Sequence, residues 1–101
     1  MIQLIDRREI PRLLSFCKGS PYGVRISAFL QAYGTSYPFA LFWMQTDASG
    51  RITAALSRVD GHVTLCASEQ ADWEEVWAFL SAAGYESVLC PEWAAQTGGL
   101  L

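Results

Sequence analysis

Apolar positions in the first third of the chain follow the pattern of one strand and then two helices in tandem. Residues 2–5 form a short apolar run that ends at Asp6, as a strand would. Apolar residues then recur at helical spacing until Gly19, which ends the first helix. Ser20-Pro21 supplies an N-cap and a proline at the first position of the second helix. The apolar positions are Ile10, Leu13, Leu14 and Cys17 in the first helix and Tyr22, Ile26, Phe29, Leu30 and Tyr33 in the second.

Residues 37–67 predict three antiparallel strands joined by short turns. The first of them is rich in aromatic and apolar residues, which favour a pleated, buried surface. Asp60-Gly61 is a strong hairpin signal between the second strand and the third. The segment is therefore predicted to be a meander whose strands cover 37–46, 51–59 and 62–67.

A third helix is predicted after the meander, followed by a short last strand. Asp72 is a suitable N-cap, Glu75 stands at the capping-box position, and Gly84 ends the helix. A strand, a crossover helix and a second strand form a unit whose strands run parallel. We therefore expect 87–90 to pair in parallel with 62–67. The apolar stripe of the helix is Trp73, Val76, Trp77 and Leu80.

Together these elements predict one α/β (α+β) domain with a mixed five-stranded sheet and helices on both of its faces. The order is strand, helix, helix, three strands, helix, strand. We expect the domain to cover 1–92 and to be followed by an irregular tail over 93–101, where Gly98-Gly99 stands and no periodicity is found.

Composition limits the classes of partner. Charged residues make up 17% of the 101 residues, so more apolar surface than usual is expected, and either an interface or simply an aromatic-rich core accounts for it. The net charge of −3 and the scattered basic residues exclude a nucleic-acid partner. No apolar run is long enough to span a bilayer, and residues 1–6 lack the basic start of a signal peptide. We expect a cytoplasmic protein with no membrane partner.

The three cysteines indicate free thiols rather than a metal site. Cys17, Cys66 and Cys90 are an odd number, show no CxxC spacing and have apolar neighbours, so we expect buried, reduced side chains. His62 is the only histidine, and structural zinc needs paired ligands at short spacing. No metal is predicted.

The junction between the third strand of the meander and the next helix carries no phosphate-binding loop. Such loops use glycines, so that backbone N–H groups close on the anion at the helix N-terminus. Here the loop contains no glycine and has two acidic residues, Glu69 and Asp72. Its residues are Ala67, Ser68, Glu69, Gln70, Ala71 and Asp72. The chain therefore is predicted to bind no nucleotide cofactor at this point.

The order of elements over roughly 1–90 resembles the N-terminal portion of the GNAT acyltransferase fold. The details resemble the N-terminal half-domain of GNAT-like proteins from Gram-positive anaerobes. The segments that carry this likeness are FCKGSPYGVRI (16–26), YPF (37–39), LSRVDG (56–61) and LCA (65–67).

In that family a Q/R-x-x-G-x-G/A loop after the fourth strand holds the pyrophosphate of acetyl-CoA. The segment 67–72 in this chain has none of these glycines, and Glu69 and Asp72 would repel a pyrophosphate. The chain also ends after the fifth strand, before the elements where the family often places a tyrosine general acid. The resemblance therefore implies a non-catalytic accessory or substrate-side lobe without cofactor, which pairs with a second copy or with a downstream catalytic GNAT half.

The family's fourth and fifth strands splay apart, and the cofactor's pantetheine arm lies between them. If this chain keeps the splay, the backbone at 66–68 and the edge at 88–90 would be unpaired, and bare strand edges are usually covered. Two alternatives stay open: an N-acetyltransferase that binds acyl-CoA at a composite site, and a small-ligand module that uses the splayed cleft.

Five residues are candidates for ligand or partner contact, and none is a candidate for catalysis. Tyr22 and Arg25 start the second helix, where the family forms its acceptor side, although surface cations such as Arg25 and Lys18 usually lie on a solvated face. Cys66 and Cys90 stand where the splayed strands would part. Trp93 lies beyond the last strand and is the candidate interface anchor.

Overall fold

The computed structural model describes residues 1–97 and contains five strands and four α-helices in that range. In chain order these are β1 Ile2–Leu4, α1 Ile10–Phe16, α2 Pro21–Tyr33, β2 Ala40–Thr46, β3 Ile52–Val59, β4 His62–Ala67, α3 Trp73–Ala83, β5 Ser87–Leu89 and α4 Glu92–Thr97. A 3₁₀ turn, Arg7–Glu9, precedes α1. The predicted fold class, with its mixed sheet and its order of elements, is confirmed.

The five strands form one sheet in the order β1-β2-β3-β4-β5. The pairs from β1 to β4 are antiparallel, and β5 runs parallel to β4. The β3–β4 hairpin turns at Asp60 and Gly61, whose φ angles of 52° and 85° both lie in the left-handed region. Asp-Gly is suited to this conformation because glycine has no Cβ and aspartate tolerates it.

Helices cover both faces of the sheet, as predicted. On one face α1 and α2 pack against alternate residues of the central strands, and on the other face α3 does so. The α1/α2 side includes Leu13, Ile26, Leu30, Phe42 and Met44, and the α3 side includes Leu56, Val63, Leu65, Val76 and Leu80. The run Phe42-Trp43-Met44 is apolar because its side chains enter both layers in turn.

The β4–β5 pairing is short. It covers three residue pairs and ends where Thr64 faces Leu89. The last residues of β4, from Leu65 to Ala67, pair with β3 and have no partner on β5. β5 ends at Leu89, so the end of β4 that leads into α3 extends beyond it.

The start of one strand differs from the predicted one for a local reason. β2 begins at Ala40 rather than at residue 37, because a turn closed by a bond from Ala40 N to Tyr37 O precedes it. Before α1, Asp6 accepts a bond from Arg8 N at 2.8 Å and so caps the 3₁₀ turn that leads into Ile10.

The predicted irregular tail is wrong for its first residues, because α4 covers Glu92–Thr97. The Pro91 carbonyl accepts bonds from Ala94 N and Ala95 N, and both alanines are buried. Trp77 Nε1 of α3 donates to Thr97 Oγ1 at 2.7 Å. A six-residue helix is too short to show a periodic pattern, and docking on α3 stabilises it. Residues 98–101 of the predicted tail lie outside the described residues.

Candidate functional site

Three backbone N–H groups of the loop from β4 to α3, those of Ser68, Ala71 and Asp72, are bonded within the protein. Ser68 N and Ser68 Oγ both donate to Thr53 O, at 2.9 and 3.2 Å. Ala71 N donates to Ser68 O at 3.2 Å, and Asp72 N donates to the side chain of Gln45 at 2.9 Å. These are donors that a phosphate would need in order to bind at the start of α3.

The Gln45 side chain is buried, at 1% exposure, and its amide makes four hydrogen bonds. Its oxygen accepts from Asp72 N at 2.9 Å and from Thr53 Oγ1 at 2.7 Å. Its nitrogen donates to Asp72 O and to Glu75 Oε1, each at 2.9 Å. Every donor and acceptor site of the amide is thereby occupied. We call these bonds among Gln45, Thr53, Asp72 and Glu75 the amide network.

The capping box predicted at the start of α3 is only half formed. Asp72 Oδ1 accepts from Glu75 N at 3.1 Å, as an N-cap should. Glu75 does not return the bond to Asp72 N, because the Gln45 oxygen already accepts from that group. The Glu75 carboxylate instead binds the Gln45 amide and the amino group of Met1, the latter at 3.0 Å.

The sequence analysis missed Gln45 and Thr53. Gln45 interrupts an apolar strand. A polar residue at a position expected to be buried indicates that its side chain has hydrogen-bond partners, and this was the available signal. Thr53 occupies a β-bulge, since the β2–β3 register shifts between Gln45, which faces Ala54, and Thr46, which faces Ile52. The bulge gives Thr53 the direction to reach Gln45.

The two candidates on α2 pack largely against the protein itself. Arg25 Nε donates to Thr64 Oγ1 on β4 at 3.2 Å, and its guanidinium carbon lies 4.9 Å from the centre of the Phe29 ring. Tyr22 is half-buried and packs against the α1/α2-side core. Their role in binding an anionic ligand stays a prediction.

The structure does not bring Cys66 and Cys90 together. Cys66 belongs to the α1/α2-side core, whereas Cys90 packs on the α3 side of the sheet. Burial raises the pKa of Cys90. Cys66 has a different neighbour, Cys17, the residue that ends α1.

Cys17 and Cys66 both belong to the α1/α2-side core. The neighbouring Cys66 thiol, together with burial, raises the pKa of Cys17. Cys17 and the hydroxyl of Ser20 lower the pKa of Cys66 to about 7 despite its burial.

Trp93 lies on α4 with 43% of its surface exposed. Its ring meets that of Trp73 edge to face, with 5.3 Å between the centroids. Leu89 on β5 and Tyr85 just before it are also exposed apolar residues. Three large apolar side chains between residues 85 and 93 are therefore exposed.

Replacement of the buried amide tests how far the amide network stabilises the fold. In Gln45→Leu, the N–H of Asp72 and the hydroxyl of Thr53 lose the amide oxygen that accepts from them, so we expect the free energy of unfolding to fall by about 2–4 kcal/mol. The matched control is Gln70→Leu, an exposed position in the adjoining loop, with an expected change below about 0.5 kcal/mol. Urea denaturation followed by tryptophan fluorescence measures both. Equal unfolding midpoints for the two variants would contradict the role given to Gln45.

Thiolate absorbance in the ultraviolet tests the influence of Cys17 on Cys66. In Cys90→Ser protein, one thiolate should form as the pH rises, with a midpoint of about 7. Cys17→Ala in the same background removes the group that lowers the pKa of Cys66, so this pKa should rise. Cys66→Ala should abolish the transition. A midpoint that does not change in Cys17→Ala would contradict the interaction between the two thiols.

Within residues 1–97, no group of three His, Cys, Asp or Glu side chains lies close enough together to hold a metal ion. None of the helices described has the length and apolar character needed to cross a membrane. No protein-family model, curated protein or solved structure matches this chain. The resemblance to GNAT proteins therefore remains a prediction from the sequence.

Proposed function

We propose that this chain is a non-catalytic GNAT-like lobe that acts through association with another protein chain and binds no acyl-CoA by itself. The observation that carries the proposal is the amide network at the start of α3. In this region a GNAT enzyme would hold the cofactor pyrophosphate with free backbone N–H groups.

The chemistry at the start of α3 disfavours an anion. Asp72 N is bonded to Gln45, Glu75 N to the Asp72 carboxylate and Ala71 N to Ser68 O. The carboxylates of Asp72 and Glu75 already supply negative charge beside the positive end of the helix dipole. A pyrophosphate would have to displace these bonds and would also meet like charge.

A cytoplasmic location is part of the proposal. Three free cysteines support it, since thiols persist in a reducing compartment. Cys17 and Cys66 are buried and Cys90 is half-buried, so all three contribute apolar packing in the reduced state.

The partner that we propose is a second copy of this chain, joined at β5. β5 is the last strand in the sheet order, so its outer side faces no other described strand. Ser87 and Leu89 on it are exposed, and Trp93 and Tyr85 flank it. Two copies of an edge strand can pair about a two-fold axis, which places the same surface on both sides of the interface.

A second candidate function is acyl-CoA binding at a composite site, and the short pairing of β4 with β5 favours it. After Thr64 the β5-facing side of β4 has no strand partner among the described residues. The amide groups of an extended pantetheine arm could form hydrogen bonds with the backbone of β4 at this point. A smaller ligand with similar hydrogen-bonding groups could bind in the same way. The pyrophosphate contacts would then have to come from another chain.

Thermal denaturation with and without acetyl-CoA separates the two candidates. The non-catalytic proposal expects no change in melting temperature at millimolar acetyl-CoA. A ligand that binds only the native state at 100 times its Kd would stabilise the protein by about 2.7 kcal/mol, which is a shift of several degrees. Inorganic pyrophosphate serves as the control for general anion effects. A saturable shift with acetyl-CoA and none with pyrophosphate would overturn the proposal.

Light scattering across a concentration series tests the second copy. We expect a dimer, and we expect Leu89→Lys to give a monomer because a charge on an edge strand opposes pairing. The matched control is Leu4→Lys on β1, at the opposite edge of the sheet, where the leucine is 58% exposed compared with 47% for Leu89. The control should stay dimeric. A wild-type monomer at every concentration would refute self-association, and loss of the dimer only in Leu4→Lys would place it at β1.

A further inference from the structure

Charged residues are segregated along the chain. Residues 1–58 contain all seven basic residues and three of the ten acidic ones, whereas residues 59–101 contain seven acidic residues and neither lysine nor arginine. From residue 10 to residue 46 the chain has three cations, Arg12, Lys18 and Arg25, and no acidic residue. α1, α2 and the corner between them therefore carry only positive side chains, while α3 on the opposite face of the sheet carries only negative ones.

Two of these three cations have no carboxylate beside them in the part of the molecule described. Arg12 lies 3.9 Å from Glu9, but within residues 1–97 no carboxylate oxygen lies within 4.0 Å of Lys18 or Arg25. Lys18 is exposed, and Arg25 donates to a neutral hydroxyl, that of Thr64. An anionic partner on this side of the molecule would therefore find unpaired positive charge and no like charge on the two helices.

An open groove of about 330 Å³ lies between α1 and α2. Its α2 wall is a stripe spaced i, i+3, i+4 and i+7, which runs along two turns of the helix, or about 10 Å. The side chains that form this wall are Val24, Ser27, Ala28 and Gln31. Leu14 of α1 lines the other side, and Lys18 lies in the lining at the corner.

The apolar part of the groove is open to solvent. The buried face of α2 is a different one, which contains Ile26 and Leu30. Val24 is 60% exposed, Ala28 one turn further on is exposed, and Leu14 is half-buried. These three side chains line the same groove, so they form one apolar surface with a cation at its end, and such surfaces mark sites of interaction.

We propose that this groove binds an acidic amphipathic helix of another protein. Helices bind in grooves of this kind through apolar anchors at i, i+3, i+4 and i+7, which two turns of the α2 wall would accommodate. Acidic residues beside the anchors would then face the positive charge of α1, α2 and their corner. The inference is independent of the second copy proposed above, because it uses α1 and α2 and not β5.

The helices of a second copy do not supply the anchors. α3 is acidic, but its large apolar side chains are buried or half-buried against its own sheet. The exposed positions in its first three turns are Glu74, Ala78, Ser81 and Ala82, which include no large apolar side chain. α4 has six residues and is shorter than the two turns of the groove wall. The charge and the anchors together therefore favour a different chain as the partner.

Fluorescence anisotropy with a labelled synthetic peptide tests the proposal. The probe is a side-chain-stapled helix of about four turns, with leucine at i, i+3, i+4 and i+7 and glutamate at the flanking positions. We expect saturable binding to the full-length protein at micromolar peptide, and weaker binding at high salt because ions screen the charge pairs. The control peptide has lysine in place of every glutamate and should not bind.

Two matched variants of α2 locate the binding surface. Ala28→Glu places a negative charge in the groove and should weaken binding of the acidic peptide about tenfold or more. Ala32→Glu makes the same exchange at an exposed position of the same helix outside the groove lining, and the affinity should change less than about twofold. Both positions are exposed and glutamate favours helix, so the melting temperatures should stay close to that of the wild type.

A second pair of variants tests the role of charge. Lys18→Gln and Arg7→Gln each remove one positive charge from an exposed residue. Lys18→Gln should weaken binding about threefold and reduce its dependence on salt, because this side chain lies in the groove lining. Arg7→Gln should leave both the affinity and its salt dependence unchanged.

Several results would overturn the proposal. The acidic peptide fails to bind at millimolar concentration, the lysine peptide binds equally well, or Ala28→Glu and Ala32→Glu weaken binding to the same extent. A dimer that Ala28→Glu converts to a monomer in light scattering would show that a second copy occupies the groove, and would overturn it as well. Loss of the dimer in Leu89→Lys alone concerns β5 and leaves the expected peptide binding unchanged.

Discussion

The position of α3 on the sheet depends on one buried side chain, Gln45. Its amide joins the β2–β3 bulge to the N-cap residue of α3, and all four of its own hydrogen-bonding positions are occupied although the side chain is buried. A buried polar group without a partner destabilises the fold. A network of this kind therefore favours the one conformation in which every bond forms, and it disfavours conformations in which the helix is displaced. The helix can start only at Asp72, and this start sets the direction from which the chain returns to β5.

The same bonds link the architecture to the function. A helix N-terminus above the end of a sheet is a natural anion site, because its first N–H groups have no partners within the helix. Here side chains accept from two of those groups: the Gln45 amide from Asp72 N, and the Asp72 carboxylate from Glu75 N. The arrangement keeps the strand–helix–strand frame and uses the positive end of α3 for stability. The open side of β4 and the apolar residues around β5 are the features that remain for contact with other molecules.

Local signals in the sequence predicted most of the fold. Ser20-Pro21 and Gly34 delimit α2, and the Asp60-Gly61 turn fixes the β3–β4 hairpin, because each motif specifies a backbone conformation by itself. The candidate site was less predictable. The contact between Cys17 and Cys66 depends on how α1 and α2 pack on the sheet, and no local pattern encodes that. The partners of Gln45 come from two separate segments, β3 and the start of α3, and α4 is too short for its periodicity to be visible.

The brevity of the β4–β5 pairing has a consequence for how the domain folds. β2, β3 and β4 are joined by short turns and pair over most of their length, so they can assemble from contacts close in sequence. β5 adds only three parallel pairs after an eleven-residue helix, and parallel pairing across a crossover forms slowly. We expect β5 and α4 to join last during folding and to detach first when the chain is pulled from its C-terminal end. The edge proposed as an interface would then also be the part of the sheet with the lowest local stability.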